Sequence, residues 1–200
     1  MRAHLPLALL AAVLLLAGCD EPGEVRLTVA DDGSVDVTAT MSLSEAMSDV
    51  VDTAEADVRA DTADAWQQQL GDRWDVAWTG PDRLVASRHL TGDVAAALED
   101  ASGGQLTDVT VDGGRNPRFA AQVTVPDAAA AGGVLAVELP AAARTHNADV
   151  IDEDGAYLWE LQPGDTRQLH AEGDRPPPVG LSLVAAALAG GGLLAWWWRR

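Results

Sequence analysis

Hydrophobic and polar side chains alternate at the start of the region that should fold. Val25, Leu27 and Val29 are separated by charged or polar residues, which is the pattern of a half-buried β-strand. Asp31-Asp32-Gly33 then supplies a turn signal, and the alternation resumes from Val35 to Met41. These residues predict a β-hairpin.

The next segment has the period of a helix. Ser42 and Glu45 have the spacing of a capping box, so we expect a helix to begin there. Apolar residues follow at intervals of three, four or a multiple of four as far as Trp66 and Leu70, and acidic residues occupy the other faces. The pattern predicts one long amphipathic helix, or two helices broken near Ala60, packed on a sheet.

Beyond Gly71 the period returns to two, and Trp74, Val76 and Trp78 fall on one face of a strand. A short helix capped by Thr91 or Asp93 is expected later. Further strands and hairpins are expected at residues 84–90, 105–111, 119–125, 134–139 and 146–172. Because strands arrive in hairpins, the predicted class is α+β: a mainly antiparallel curved sheet with one long and one short helix packed on it.

The N-terminus has the pattern of a lipoprotein signal. An apolar run from Leu5 to Leu16 follows Arg2 and is too short to span a bilayer. Small residues then lead to cleavage between Gly18 and Cys19, whose thiol can carry a diacylglycerol thioether. Cys19 is the only cysteine, so lipid attachment is predicted there and an intramolecular disulfide is excluded.

The C-terminus predicts a second anchor. Residues 179–198 form an uncharged stretch long enough to cross about 30 Å of hydrocarbon. The tryptophans at its end and Arg199-Arg200 place the C-terminus in the cytoplasm, with the domain on the other side of the membrane. The predicted organisation is a signal peptide (1–18), an extracytoplasmic domain (19–174), a Pro-rich spacer (175–178), a transmembrane helix (179–198) and a basic end (199–200).

Charge and composition exclude several classes of function. The formal net charge is -18, and all 31 acidic residues lie between Asp20 and Asp174, which argues against a nucleic-acid partner. His89, His146 and His170 have no metal-ligand spacing, and the chain has no nucleophile elbow or phosphate-binding loop. We therefore expect a protein that is not an enzyme and has no metal or cofactor.

Two sets of side chains could bind a lipid. A possible apolar cleft would be lined by Trp66, Trp74, Val76, Trp78 and Trp159, although the same residues could simply fill a core. Arg115 and Arg118 form a local basic pair that could contact an anionic headgroup, or could be a solvated hairpin tip.

The order of these parts resembles that of a known family. A lipobox cysteine is followed by a hairpin with an Asp-Asp-Gly turn, a helical segment and a terminal span. The late motifs are His146-Asn147-Ala148-Asp149, Asp154-Gly155, Leu158-Trp159-Glu160-Leu161 and Pro163-Gly164-Asp165. In this the chain resembles the actinobacterial LppM-type lipoproteins, and the resemblance implies a cell-envelope protein that binds an envelope lipid or glycolipid.

Two hypotheses about function remain. In the first, the membrane-anchored domain binds an envelope lipid or glycolipid in a cleft between helix and sheet. In the second, it is a membrane-tethered interaction module of an envelope complex with no small-molecule ligand. The sequence names no protein partner.

Overall fold

The computed structural model describes residues 23–42, 56–80, 82–127 and 132–174. The predicted signal peptide, Cys19, the spacer, the transmembrane segment 179–198 and the basic end lie outside the described residues. No helix within the described ranges is long and apolar enough to cross a membrane.

The described residues form a two-layer α+β structure. Its helices are α1 (Ala56–Leu70) and α2 (Val94–Ala101). Its strands are β1 (Gly23–Val29), β2 (Val35–Ser42), β3 (Asp75–Trp78), β4 (Arg83–Leu90), β5 (Leu106–Asp112), β6 (Arg118–Thr124), β7 (Gly133–Glu138), β8 (Ala143–His146), β9 (Val150–Ile151), β10 (Tyr157–Leu161) and β11 (Thr166–Gly173). Most of the predicted strands are confirmed, and β8 was not predicted.

The strands form two sheets, so the prediction of a single curved sheet is wrong. Sheet A has the order β3-β4-β2-β1-β7-β10-β9, and sheet B has the order β5-β6-β11-β8. Neighbouring strands are antiparallel except β1 and β7, which pair in parallel. Alternation shows that a strand has one buried face, but it does not show whether a helix or a second sheet covers that face.

The core lies between the two sheets. Trp159 on β10 is fully buried opposite Leu135 of β7, and its ring centroid is 6.0 Å from that of Phe119 on β6. The indole Nε1 donates to Asn147 Oδ1 at 3.0 Å, so the polar atom of this buried side chain is paired. The Tyr157 hydroxyl on β10 accepts a hydrogen bond from the backbone N–H of Ala143, which joins the sheets at β8.

The two helices partly agree with the sequence prediction. Ser42 is the last residue of β2, and the predicted first half of the long helix, residues 43–55, lies outside the described residues. In α1 Trp66 is buried, while Thr62 and Leu70 on the same line are half-buried, as predicted. Of the two predicted caps for the short helix, Asp93 is used, because its carboxylate accepts from Ala96 N.

The ion pair between Asp149 and Arg167 should make the stability of the domain depend on pH. The Arg167 guanidinium donates to both Asp149 oxygens at 2.9 and 3.0 Å, which lowers the pKa of that carboxyl below its ordinary value, while partial burial opposes the shift. A carboxyl whose pKa is lowered by folding stabilises the protein above its unfolded pKa, about 3.9, and loses that contribution as pH falls through the folded pKa. We therefore expect the melting temperature to fall in this acidic window.

The test is to compare Asp149→Asn with the native chain from about pH 6 to about pH 2. The variant should melt earlier at the upper end, and the difference should vanish at the lower end. The difference should be modest, because the side chains are 36% and 32% exposed. Asp154→Asn, at an exposed turn residue with no ion pair to a described residue, is the control. A difference that persists at low pH would contradict the assignment.

Candidate functional site

Three apolar side chains, two on β3 and one on the residue just before it, face inward. Antiparallel pairing places Trp78 opposite Leu84 and Val76 opposite Ala86, both of which are fully buried. Trp74 precedes the strand in the same alternation and is itself buried. The predicted common face of Trp74, Val76 and Trp78 is therefore confirmed. Together with Trp66 and Arg88, these residues are called the tryptophan site below.

Helix α1 is held over this face by hydrogen bonds to the backbone. Trp78 Nε1 donates to the carbonyl oxygen of Arg59 at 2.9 Å, and the Arg59 guanidinium lies 4.8 Å from the centre of the Trp78 ring. Gln67 Nε2 donates to the carbonyl oxygens of Gly71 and Trp74 at 3.0 and 2.6 Å. The arrangement is a helix packed over the edge of a sheet, as the amphipathic pattern of this segment predicts.

The tryptophan site is closed on one side and accessible on the other. Trp66 and Trp74 are only 2% and 4% exposed, while Val76 and Trp78 are half-buried. Trp66 Nε1 is buried and has no hydrogen-bond partner among the described residues. Because a buried N–H without a partner is costly, this donor is available to a water molecule or a ligand.

Arg88 is a cation on the inward face of sheet A. It alternates with the buried residues Ala86 and Leu90 and lies opposite Val37. Its guanidinium is 5.9 Å from the centre of the Trp74 ring and has no hydrogen bond or ion pair to a described residue. Burial, and secondarily the charge of Arg73, lower the pKa of Arg88, while the charge of Asp100 on α2 raises it.

Sequence reasoning missed Arg88, although a signal was present. Leu84, Ala86 and Leu90 are three of the four inward positions on β4, and the remaining position is occupied by arginine. A charged residue at a position that alternation assigns to the core marks either a paired ion or a binding group. The structure gives it no hydrogen bond or ion pair to a described residue, and only the Trp74 ring and the charge of Asp100 act on it.

Trp159 does not belong to the tryptophan site. It lies on β10, and strands β4, β2, β1 and β7 separate β10 from β3 in sheet A. Its side chain fills the centre of the core between the sheets. The prediction that Trp159 would line one cleft with Trp66, Trp74 and Trp78 is therefore wrong. These residues share a type, but the order of strands in sheet A places Trp159 far from the other three.

Arg115 and Arg118 are exposed and lie on sheet B, away from the tryptophan site. Arg118 is on the outer face of β6, opposite Asp112 of β5 and Glu172 of β11. Arg115 lies in the turn between β5 and β6. Neither guanidinium has a hydrogen bond or ion pair to another described residue. Both side chains are accessible to solvent, and Arg118 lies between two carboxylates on the neighbouring strands.

A polar hollow of about 370 Å³ lies at the end of β8 and β11. An ion pair between Arg144 and Asp174, 2.5 Å apart, lies on its wall, where the described chain ends. Its lining is charged and polar, unlike the apolar cleft that the sequence predicted. Among the described residues, no group of three His, Cys, Asp or Glu side chains is placed to hold a metal ion.

Comparison with known proteins finds a similarity to one solved structure. No family model matches the chain, and no curated protein matches it. The chain is similar to the folded domain of the LppM protein of Mycobacterium tuberculosis, whose structure was determined by NMR. The two are 17% identical, the match covers 78% of this chain and 91% of that domain, and the TM-score is 0.47. The likeness concerns the fold and says nothing of what this chain binds.

Proposed function

We propose that this chain is a non-catalytic cell-envelope lipoprotein, anchored at Cys19 and by residues 179–198, that binds an anionic lipid or glycolipid at the tryptophan site. The observation that carries the proposal is Arg88, an inward-facing cation beside the Trp74 ring that has no hydrogen bond or ion pair to a described residue and is offset only by the charge of Asp100. The two membrane anchors come from the sequence pattern alone.

The chemistry of the site suits a ligand that is anionic at one end and apolar at the other. A half-buried cation without a hydrogen-bond partner destabilises the free protein, because it has lost part of its hydration. A phosphate or carboxylate would pair with the planar guanidinium through two parallel hydrogen bonds. Trp66 Nε1 offers a further donor, and Val76 and Trp78 offer half-buried apolar surface to an acyl chain.

Entry of an acyl chain requires α1 to move. Trp66 lies on α1 and is buried in the free protein, so a chain beside Trp74 would displace it. The hydrogen bonds from Trp78 and Gln67 to backbone carbonyls hold α1 in place. Ligand binding would break some of these bonds, and the helix would act as the cover of the site.

The first test replaces Arg88 with methionine. Arg88→Met should raise the melting temperature of the lipid-free protein by a few degrees, because a desolvated cation is replaced by an apolar side chain of similar length. The same variant should lose bound lipid at least tenfold. Native mass spectrometry of the full chain released from detergent micelles measures the bound lipid, and differential scanning calorimetry measures stability.

Arg83→Met is the matched control, because Arg83 lies on the same strand but is exposed on the outer face. It should leave both bound lipid and melting temperature nearly unchanged. A full lipid complement in Arg88→Met, or an equal loss in Arg83→Met, would show that the lipid is held elsewhere.

One observation favours the second hypothesis, a protein-interaction module. Val150 and Ile151 on β9 are 48% and 49% exposed, and β9 is the edge strand of sheet A. An exposed apolar edge strand can accept a strand from another protein. A photo-crosslinking residue in place of Val150 tests this in intact membranes: a discrete crosslinked protein that disappears with Ile151→Lys supports it, and crosslinks to lipid alone oppose it.

A further inference from the structure

The folded domain begins and ends at opposite ends of its strands. β1 starts at Gly23 and finishes beside Ala30, against which Gly113 of the β5–β6 turn is packed. The end of β11 lies beside the same turn, because Gly173 N donates to the Pro117 carbonyl oxygen at 2.8 Å. Gly23 and Gly173 are therefore separated by the full length of the strands.

The connections to the two proposed anchors are shorter than this separation. The eight residues of β11 extend over about 25 Å at about 3.3 Å per residue. The four residues from Cys19 to Gly23 reach about 14 Å at most, and the five from Asp174 to Val179 reach about 18 Å. If the strands stood perpendicular to the membrane, one anchor would not reach the bilayer. Anchored at both ends, the domain cannot stand upright, and its strands lean toward the membrane surface.

The two outer faces of a domain in this position differ in charge. Sheet A presents five carboxylates and two arginines on its outer face: Glu24, Asp36, Asp75, Glu138, Glu160, Arg26 and Arg83. The outer face of sheet B carries Asp112, Arg118 and Glu172 among threonine, glutamine, alanine and His170. Two more charges are exposed on its edge strands: Asp108 at the bulge of β5, and Arg144 of β8, which is paired with Asp174. Apart from the Arg144–Asp174 ion pair, carboxylates outnumber arginines by three on the outer face of sheet A and by two on that of sheet B. Arg115 in the β5–β6 turn adds a further cation beside sheet B, so lipid phosphates would repel the first face more than the second.

We propose that the outer face of sheet B rests on the lipid headgroups, with Arg115 and Arg118 in contact with their phosphates. This proposal rests on the two anchors of the proposed function, and it adds an orientation and a membrane-contacting surface. Arg115 and Arg118 have no partner among the described residues. The threonine and glutamine side chains around Arg118 can hydrogen-bond to phosphate and glycerol oxygens. The chain also leaves the domain from β11, a strand of this sheet.

Fluorescence quenching on membranes tests the orientation. The lipidated full chain is reconstituted into vesicles of phosphatidylglycerol and phosphatidylcholine that contain a headgroup-nitroxide lipid. A fluorophore is placed at one introduced cysteine, since Cys19 is occupied by lipid. Thr145→Cys and Thr166→Cys mark opposite ends of the outer face of sheet B, and Ala77→Cys marks the outer face of sheet A. All three positions are exposed.

Quenching at both threonine positions should be similar and several-fold stronger than at Ala77. Quenching at only one of them would mean an upright domain, and stronger quenching at Ala77 would mean contact through sheet A. Either result would overturn the proposal, as would no quenching at any position while the protein floats with the vesicles. If the protein did not float with the vesicles, the membrane anchors on which the proposed function depends would be shown to be absent.

Two further variants separate anchoring from surface contact. Cys19→Ser keeps the spanning segment but frees the Gly23 end, so quenching at Thr166 should fall while quenching at Thr145 stays. The combined change Arg115→Gln and Arg118→Gln should weaken quenching at Thr145 several-fold, and Arg83→Gln on the other face should not. An unchanged signal in the combined variant would overturn the assigned headgroup contacts.

Discussion

Replacing Trp159 with alanine is expected to lower the free energy of unfolding by about 3–5 kcal/mol. The side chain is fully buried between the two sheets, against Phe119 and beside Leu135. Its removal would leave a cavity that strands of both sheets border, and neither sheet can collapse into the space without disturbing its pairing. Urea unfolding followed by far-ultraviolet circular dichroism measures the loss.

Trp159→Phe and Trp78→Ala are the matched controls. Trp159→Phe keeps an aromatic ring in the core but loses the hydrogen bond to Asn147, so a cost of about 1–2 kcal/mol is expected. Trp78 is only half-buried, and Trp78→Ala should cost less than Trp159→Ala. Equal losses in Trp78→Ala and Trp159→Ala would contradict the placement of Trp159 at the centre of the core.

Local pattern predicted the elements well, because the features that carry it are local. Alternation located β1, β2 and the hairpin of β5 and β6, and Asp93 was one of two caps foreseen for α2. The division into two sheets could not be predicted from the sequence, because strands that pair lie far apart along the chain. The parallel pairing of β1 with β7 joins residues more than a hundred positions apart, and no local turn sequence indicates it.

The candidate site shows the same limit. The common face of Trp74, Val76 and Trp78 follows from a period of two within one strand, so the sequence was sufficient. Residue type alone groups Trp159 with them, and the order of strands in sheet A places it elsewhere. Arg88 interrupts an apolar alternation, but its stacking on Trp74 depends on the register of two strands, which the sequence does not give.

Gly113→Ala is expected to destabilise the domain by about 3 kcal/mol, because the two turns at one end of the sandwich touch at this residue. A Cβ on Gly113 would lie 1.7 Å from the carbonyl oxygen of Ala30 and 2.8 Å from the backbone N of Gly33. Both atoms belong to the backbone of the tight β1–β2 turn, so no rotamer change can make room. The β5–β6 turn must instead move away from the β1–β2 turn.

Gly114→Ala is the control at the next position. A Cβ there would meet only the exposed Asp112 carboxylate, at 3.0 Å, which can rotate away at the cost of its hydrogen bond from the Gly114 N–H. Its cost should be well below that of Gly113→Ala in the same urea titration. Hydrogen exchange gives a second readout: the amide of Gly33, which donates to the Ala30 carbonyl at 3.0 Å, should lose protection in Gly113→Ala and keep it in Gly114→Ala. Equal stability of the two variants would mean that the turns are not in contact, because backbone atoms this close leave no space for a methyl group.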